Sequence, residues 1–287
     1  MKIVSGVCAL KPARLFHHLT IAVGVVLTAT FAATPSATAA KCGNGPGGFS
    51  SWLNDFEARA KANGITQRTL DRALSGVTYD PNVIRRDRSQ KSFKLSFEEF
   101  YKRRVGSYLM KQSQARLKRH AGLLASIEKR YGVPGEILVS IWGLETNFGK
   151  DTAGKYSIIR SIATLAYDCR RSEFFTDHLL AALRIVQKGD MSPKDMRGGW
   201  AGEIGQVQFL PGSYDKYAVD FDGNGHRDLV HSIPDLLAST ANYLRAHGWQ
   251  KGASWDPGTA NYQVIKAWNR ADVYARTIAV MANRLQS

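Results

Sequence analysis

Apolar residues recur three and four positions apart over most of this chain, the spacing of helices that each bury one face. In "SSWLNDFEARAKANGI" Trp52, Phe56 and Ala60 share a stripe. In "SFKLSFEEFYKRRVGSYLM" Phe93, Phe97, Phe100, Tyr101 and Tyr108 fall at helical spacings, with Lys102, Arg103 and Arg104 largely opposite. "HLLAALRIVQKG" reads as a buried helix that stops at Gly189, and "DLLASTANYLRAHGW" and "YARTIAVMANRLQS" add two more. Alternating strand patterns are scarce, so a mainly α fold is expected. The stretch from Gly189 to Pro234 is dense in glycine and reads as irregular. No internal repeat or low-complexity linker interrupts the pattern.

One helical pattern carries an acid on its apolar side. In "YGVPGEILVSIWGLETNFG" Pro134 suits the first turn of a helix. Ile137, Ile141 and Glu145 then lie four apart, so the carboxyl shares a face with core residues. Burial there would disfavour its charged form and raise its pKa towards neutrality, as a general acid requires. The competing reading is a helix-end glutamate that turns out to water.

The second informative stretch is "GGWAGEIGQVQFLPGSYDKYAVD". Five glycines between Gly198 and Gly212 allow close approach of backbone to a ligand. Trp200, Phe209, Tyr214 and Tyr217 offer flat faces, and Gln206 and Gln208 offer amide donors and acceptors. Rings beside amides suit pyranose sugars, although each aromatic taken alone fits a core position equally well.

Composition narrows the setting. At 287 residues and 44% hydrophobic content the chain can build a sizeable core, which excludes fibrous and disordered classes. Residues 1–40 differ from the rest: Lys2, Lys11 and Arg14 lie by an apolar run that is followed by "TPSATAA". This is the layout of a cleaved signal peptide, and the run falls short of the roughly 20 residues of a membrane span. Lys41 before Cys42 does not suit lipid attachment. Any membrane association is therefore expected only through the uncleaved leader, and the mature chain is expected to be soluble and periplasmic. Loss of the leader would remove three basic residues and no acidic ones, taking the net charge from +15 to +12. Such a surface attracts polyanions. Export and the lack of any nucleic-acid motif turn this away from DNA and RNA. Cys42 and Cys169 remain in the mature chain, and an oxidising compartment would pair them.

The motifs "ETNFG", "GQVQFLPGSY", "YAVDFDGNGHRDL", "ANYLRAHGW" and "WNRADVYARTIAVMANRL", in that order, resemble the membrane-bound lytic transglycosylase B family. The resemblance extends upstream through "RSQKSFKLSFEEFYKRRV" and covers nearly all of the mature chain. It implies a lysozyme-like catalytic core with added N- and C-terminal helices. The parts expected are a leader over 1–40, a helical part over 41–118, the core over 119–250 and closing helices over 251–287, with no further module. It implies cleavage of the β-1,4 bond between N-acetylmuramic acid and N-acetylglucosamine in peptidoglycan strands. The muramyl C6 hydroxyl takes the place of water and leaves a 1,6-anhydro end. Glu145 matches the family's single catalytic acid, assisted by the acetamido group of the sugar, in contrast to the two-carboxylate scheme. Asp151 and Glu203 match no catalytic position.

By the same resemblance Gln208 and Tyr243 line the cleft, and Asn269 and Tyr274 close it from the C-terminal helices. Trp268 stands where the best-known members carry tyrosine, and Gly199 where many carry serine, so a hydroxyl is missing there. In "DFDGNGHRDLVHSIPD" the residues Asp220, Asp222, Asn224 and Asp228 occupy positions 1, 3, 5 and 9 of an EF-hand-like loop, with Gly225 at the turn. His231 stands where the closing glutamate belongs, and Asp235 is the substitute that the family pattern offers. A structural calcium or sodium ion is one reading of this loop and an Asx-rich turn without metal is the other; the chemistry itself requires no cofactor. A monomer is expected. Two rival functions stay open at this point: a hydrolase of the goose-lysozyme kind, which a second carboxylate in the cleft would favour, and a cell-wall binding protein without catalysis.

Overall fold

The structure is a computed structural model that describes residues 41–90, 95–152 and 154–286. The expected leader and Phe93 lie outside the described residues. Thirteen α-helices occur among the latter. The N-terminal ones are α1 (Phe49–Ala62), α2 (Gln67–Leu74), α3 (Pro81–Arg88), α4 (Phe97–Arg104) and α5 (Ser107–Arg119). The middle set is α6 (Ala121–Tyr131), α7 (Gly135–Thr146), α8 (Ile158–Tyr167) and α9 (Ser172–Lys188). The last are α10 (Pro211–Tyr217), α11 (Ile233–Ala246), α12 (Ala260–Trp268) and α13 (Asp272–Gln286). A short antiparallel ladder pairs β1 (Tyr156–Ser157) with β2 (Arg197–Gly198).

Local chemistry sets these boundaries. Ser96 caps α4 through the Glu99 amide while the Glu99 carboxylate returns to the Ser96 amide, a reciprocal capping box. Thr66, Ser157, Ser232 and Thr259 cap α2, α8, α11 and α12 through side-chain oxygens. Gly189, at φ 83°, ends α9 where the apolar pattern stops. The run from Phe97 to Tyr108 is split at Val105 and Gly106, and the restart of α5 changes its phase. Phe100 therefore reaches the core, but Tyr108 is exposed, in contrast to the single stripe expected from spacing.

Helix α7 is the hub. Ile137, Leu138, Ile141 and Leu144 are almost wholly buried, each contributing about 1.5–3 kcal/mol of transfer free energy. Helices α5, α6, α11 and α13 pack around it. Helix α8 lies along α9, which in turn supports α10. Cys42 and Cys169 form a disulfide that fastens the N-terminal segment beyond the end of α8. Beside it the Gly43 amide bonds to the Tyr167 carbonyl at 2.9 Å.

Candidate active site

Glu145 occupies the last turn of α7, and the backbone beyond it makes an unusual reversal. Asn147, Phe148 and Gly149 are consecutively left-handed, at φ 48°, 61° and 83°. A phenylalanine in that region is strained unless its surroundings hold it. Its ring meets Trp142 edge-on at 5.3 Å, lies under the Arg116 guanidinium at 4.0 Å, and covers Gly143 so closely that a side chain at 143 would begin 2.8 Å from it. Thr146 accepts from the Gly149 amide and donates to the Gln206 carbonyl at 2.6 Å. The "ETNFG" motif thus aims one carboxyl, and its other side chains fasten the turn.

That carboxyl lies on a cleft of about 870 Å³. The Trp268 indole N–H and the Tyr274 hydroxyl both donate to Glu145 Oε1, each at 2.9 Å. Among the described residues no hydrogen bond reaches Oε2. Loss of hydration raises the Glu145 pKa, against the opposing pull of the two donors and of the Arg104 guanidinium. Beside it the buried Tyr274 hydroxyl is pushed well above its ordinary pKa, by desolvation and then by the neighbouring carboxyl, so it remains a donor.

Gln208, Tyr243, Trp268 and Asn269 line the cleft, as does Phe209. Gln208 is itself left-handed, at φ 55°, and its amide donates to the Gly205 carbonyl at 2.8 Å. The Tyr243 ring stacks on His247 and meets Trp268 edge-on, and its hydroxyl donates to the Ala267 carbonyl. Asn269 accepts from the Ala271 amide. Tyr274, expected to close the cleft, is buried and does not line it, and it meets the site through its hydroxyl bond to Glu145. Gln206 is also turned inward, bridging the Trp142 indole and the Val230 carbonyl. Tyr214 is a core residue whose hydroxyl donates to the Arg227 carbonyl. Sequence reading missed Arg171, Phe174 and Arg270 on the cleft wall, and it named Glu203 without placing it there. The one hint was "FF" at 174–175 in an amphipathic helix, where one ring must point away from the core; Phe174 does so and is exposed.

In the acidic loop, the carboxylates of Asp220, Asp222 and Asp235 have oxygens within 4.8 Å of one another. All three also accept backbone amides, Asp220 from Gly223, Asn224 and Gly225, Asp222 from Asn224, and Asp235 from Phe221, Asp222 and Asp228. Asp228 accepts from the Val230 and His231 amides, and Asn224 from the His226 amide. No basic side chain pairs with the three clustered acids among the described residues.

A buried helix that presents one acid to an aromatic- and amide-lined cleft, in this mainly helical frame, defines the lysozyme-like class of lytic transglycosylases. The chain belongs to the transglycosylase SLT domain family, which it matches over residues 48–260. It is 44% identical over 123 residues to membrane-bound lytic murein transglycosylase B of Escherichia coli K12, an alignment spanning 42% of this chain and 34% of that protein. SltB3 from Pseudomonas aeruginosa, solved in complex with NAG-anhNAM-pentapeptide, is 34% identical, with a TM-score of 0.77 over 83% of this chain and 80% of that one. Soluble lytic transglycosylase SltB1 from the same organism shares the fold at 24% identity, with a TM-score of 0.74 over 81% and 97% of the two chains. No helix among the described residues is long and apolar enough to cross a membrane.

Proposed function

We propose that the chain is an exported lytic transglycosylase that cuts peptidoglycan between N-acetylmuramic acid and N-acetylglucosamine and leaves 1,6-anhydromuramic ends. The observation that carries this reading is the asymmetry at Glu145, where two donors hold Oε1 and leave Oε2 to the cleft. In the neutral form the proton sits on Oε2 and passes to the glycosidic oxygen as the C1–O bond breaks. The acetamido oxygen of the muramyl sugar covers C1 from the opposite face. The Glu145 carboxylate next takes the proton of the C6 hydroxyl as that oxygen bonds to C1, which restores the acid without consuming water. Trp268 and Tyr274 favour the carboxylate present between the two steps. Gln208 and the rings of Tyr243 and Trp268 would position the sugars, and Asn269 would meet them at the rim. The leader-like 1–40 segment and the disulfide support a periplasmic location. The direct test is mass spectrometry of fragments released from purified peptidoglycan by residues 41–287. Products lighter by one water than hydrolytic ones are expected; hydrated reducing ends would establish a lysozyme reaction instead.

The acidic loop fits a calcium ion, because three carboxylate oxygens lie within 4.8 Å of one another and oxygen donors suit a hard ion. Asp220, Asp222 and Asp235 would hold it, and the ion would tie the loop to the start of α11; Asn224 and Asp228 would support the loop through their backbone-directed bonds. Calcium at about 100 times its dissociation constant is expected to add about 2.7 kcal/mol of stability. Thermal unfolding with calcium and with chelator checks this, and the response should vanish in Asp222→Ala. An equal melting temperature in calcium and chelator would remove the metal from the proposal.

A further inference from the structure

The cleft holds a second carboxyl that the single-acid scheme does not use. Glu203 lines it together with Glu145, and its Oε2 accepts from the Ala201 amide at 3.0 Å. The loop that carries it is tightly closed: the Gly199 amide donates to the Glu203 carbonyl at 3.0 Å and the Gly202 amide to the Gly199 carbonyl at 3.2 Å. Glycine at 199 makes the seat for this acid. A side chain there would begin 2.1 Å from Glu203 Oε2, and one at 198 would begin 1.9 Å from the Glu203 carbonyl oxygen. The carboxylate of 203 therefore fills the space that a serine at 199 would need.

We propose that Glu203 is a positioning residue for the reaction proposed above, whose negative charge keeps Glu145 protonated until the glycosidic oxygen takes the proton. The inference rests on that functional reading for its purpose, but the coupling between the two acids stands on the cleft alone. Two desolvated carboxyls that line one cleft disfavour joint ionisation, although Arg171 and Arg270 share its wall. Neither has a basic partner within ion-pair distance among the described residues. The groups that face Glu145 are Arg104 of α4, Trp268 of α12, Tyr274 of α13 and Glu203 of the loop. Of these, Glu203 alone opposes the charged form. Desolvation raises the Glu203 pKa as well, and its own amide and that of Ala201 pull the other way by bonding to the carboxylate. Glu145 is the more deeply set of the two, and its bonding leaves Oε2 ready to carry a proton. A charged Glu203 serves both halves of the reaction, because it makes Glu145 hold its proton at neutral pH and makes the later carboxylate a stronger base.

The test is a pH titration of the folded chain labelled with ¹³C at glutamate carboxyls, with the two signals assigned by Glu145→Gln and Glu203→Gln. In Glu203→Gln the Glu145 midpoint is expected to fall by about one pH unit, which corresponds to about 1.4 kcal/mol. The Glu203 midpoint should stay in place in Glu145→Gln, since Glu203 ionises while Glu145 is still neutral. General-acid activity is present below the Glu145 midpoint and lost above it. The alkaline limb of fragment release should therefore move to lower pH by the same amount in Glu203→Gln. If that variant does not fold, Gly199→Ser with Glu203→Ala refills the seat without the charge and should show the same downward shift. An unchanged or raised Glu145 midpoint overturns the inference. Coupled midpoints in a wild-type chain that releases no fragment would overturn the functional reading and leave the coupling in place.

Discussion

Glu145→Gln is expected to lose anhydro-muropeptide release by a factor on the order of 10³, the middle of the range for general acid–base catalysis. The substitution keeps an oxygen where Trp268 and Tyr274 donate, so the two 2.9 Å bonds at Oε1 have an acceptor in the variant. It removes the proton at Oε2, the only atom of the group that the reaction consumes and restores. Thermal stability should be equal or higher, because a desolvated ionisable group has been replaced by a neutral one. Retained release at wild-type rate would move the acid elsewhere in the cleft, with Glu203 the first position to examine. A parallel fall in melting temperature and activity would instead mark Glu145 as a structural residue.

Much of this site was legible because a helix converts spacing into direction. Ile137, Ile141 and Glu145 share a face by arithmetic, and the structure places that face against the core with the acid at its open end. The period also located α1, α9, α11 and α13. Tyr108 escaped because periodicity does not register the phase change at Gly106. The glycine-rich stretch was harder, since no period governs it. Gln206 and Gln208 are two residues apart with the same chemistry, yet backbone geometry alone turns one to the Trp142 indole and the other to the cleft. Tyr274 appeared as a cleft wall by resemblance, whereas its burial beside Glu145 depends on how α13 packs on α7. Glu203 was legible as a carboxyl near glycine but not as a neighbour of Glu145, because a loop fold brings the two together.

Replacing Cys42 and Cys169 by serine is expected to lower unfolding free energy by up to about 4–5 kcal/mol. The bridge spans 127 positions, and closing so long a loop removes much of the freedom of the unfolded chain. Against a total of roughly 5–15 kcal/mol this is a large share. The neighbourhood makes the loss felt beyond the N-terminus. Asp168 beside the bridge takes both oxygens to Arg88, and Asp87 pairs with Arg170 and with Arg171, which reaches the cleft wall. Equilibrium urea unfolding of the wild-type chain, with and without reductant, and of the double variant checks the figure. The reduced wild type and the double variant should coincide at a lower midpoint. A midpoint that does not move would mean that the segment from Cys42 to Gly48 is held by its packing on Tyr167 alone.

The bond from the Trp268 indole to Glu145 gives the protein a built-in optical gauge. An indole whose N–H faces a neutral acid and one whose N–H faces a carboxylate sit in different electric fields, so the colour of its emission should follow the charge on that single oxygen pair. Once the other five tryptophans are replaced by phenylalanine, the acid can be watched in the resting protein with light, without substrate or turnover, and the same signal would report the moment a bound sugar displaces water from the cleft.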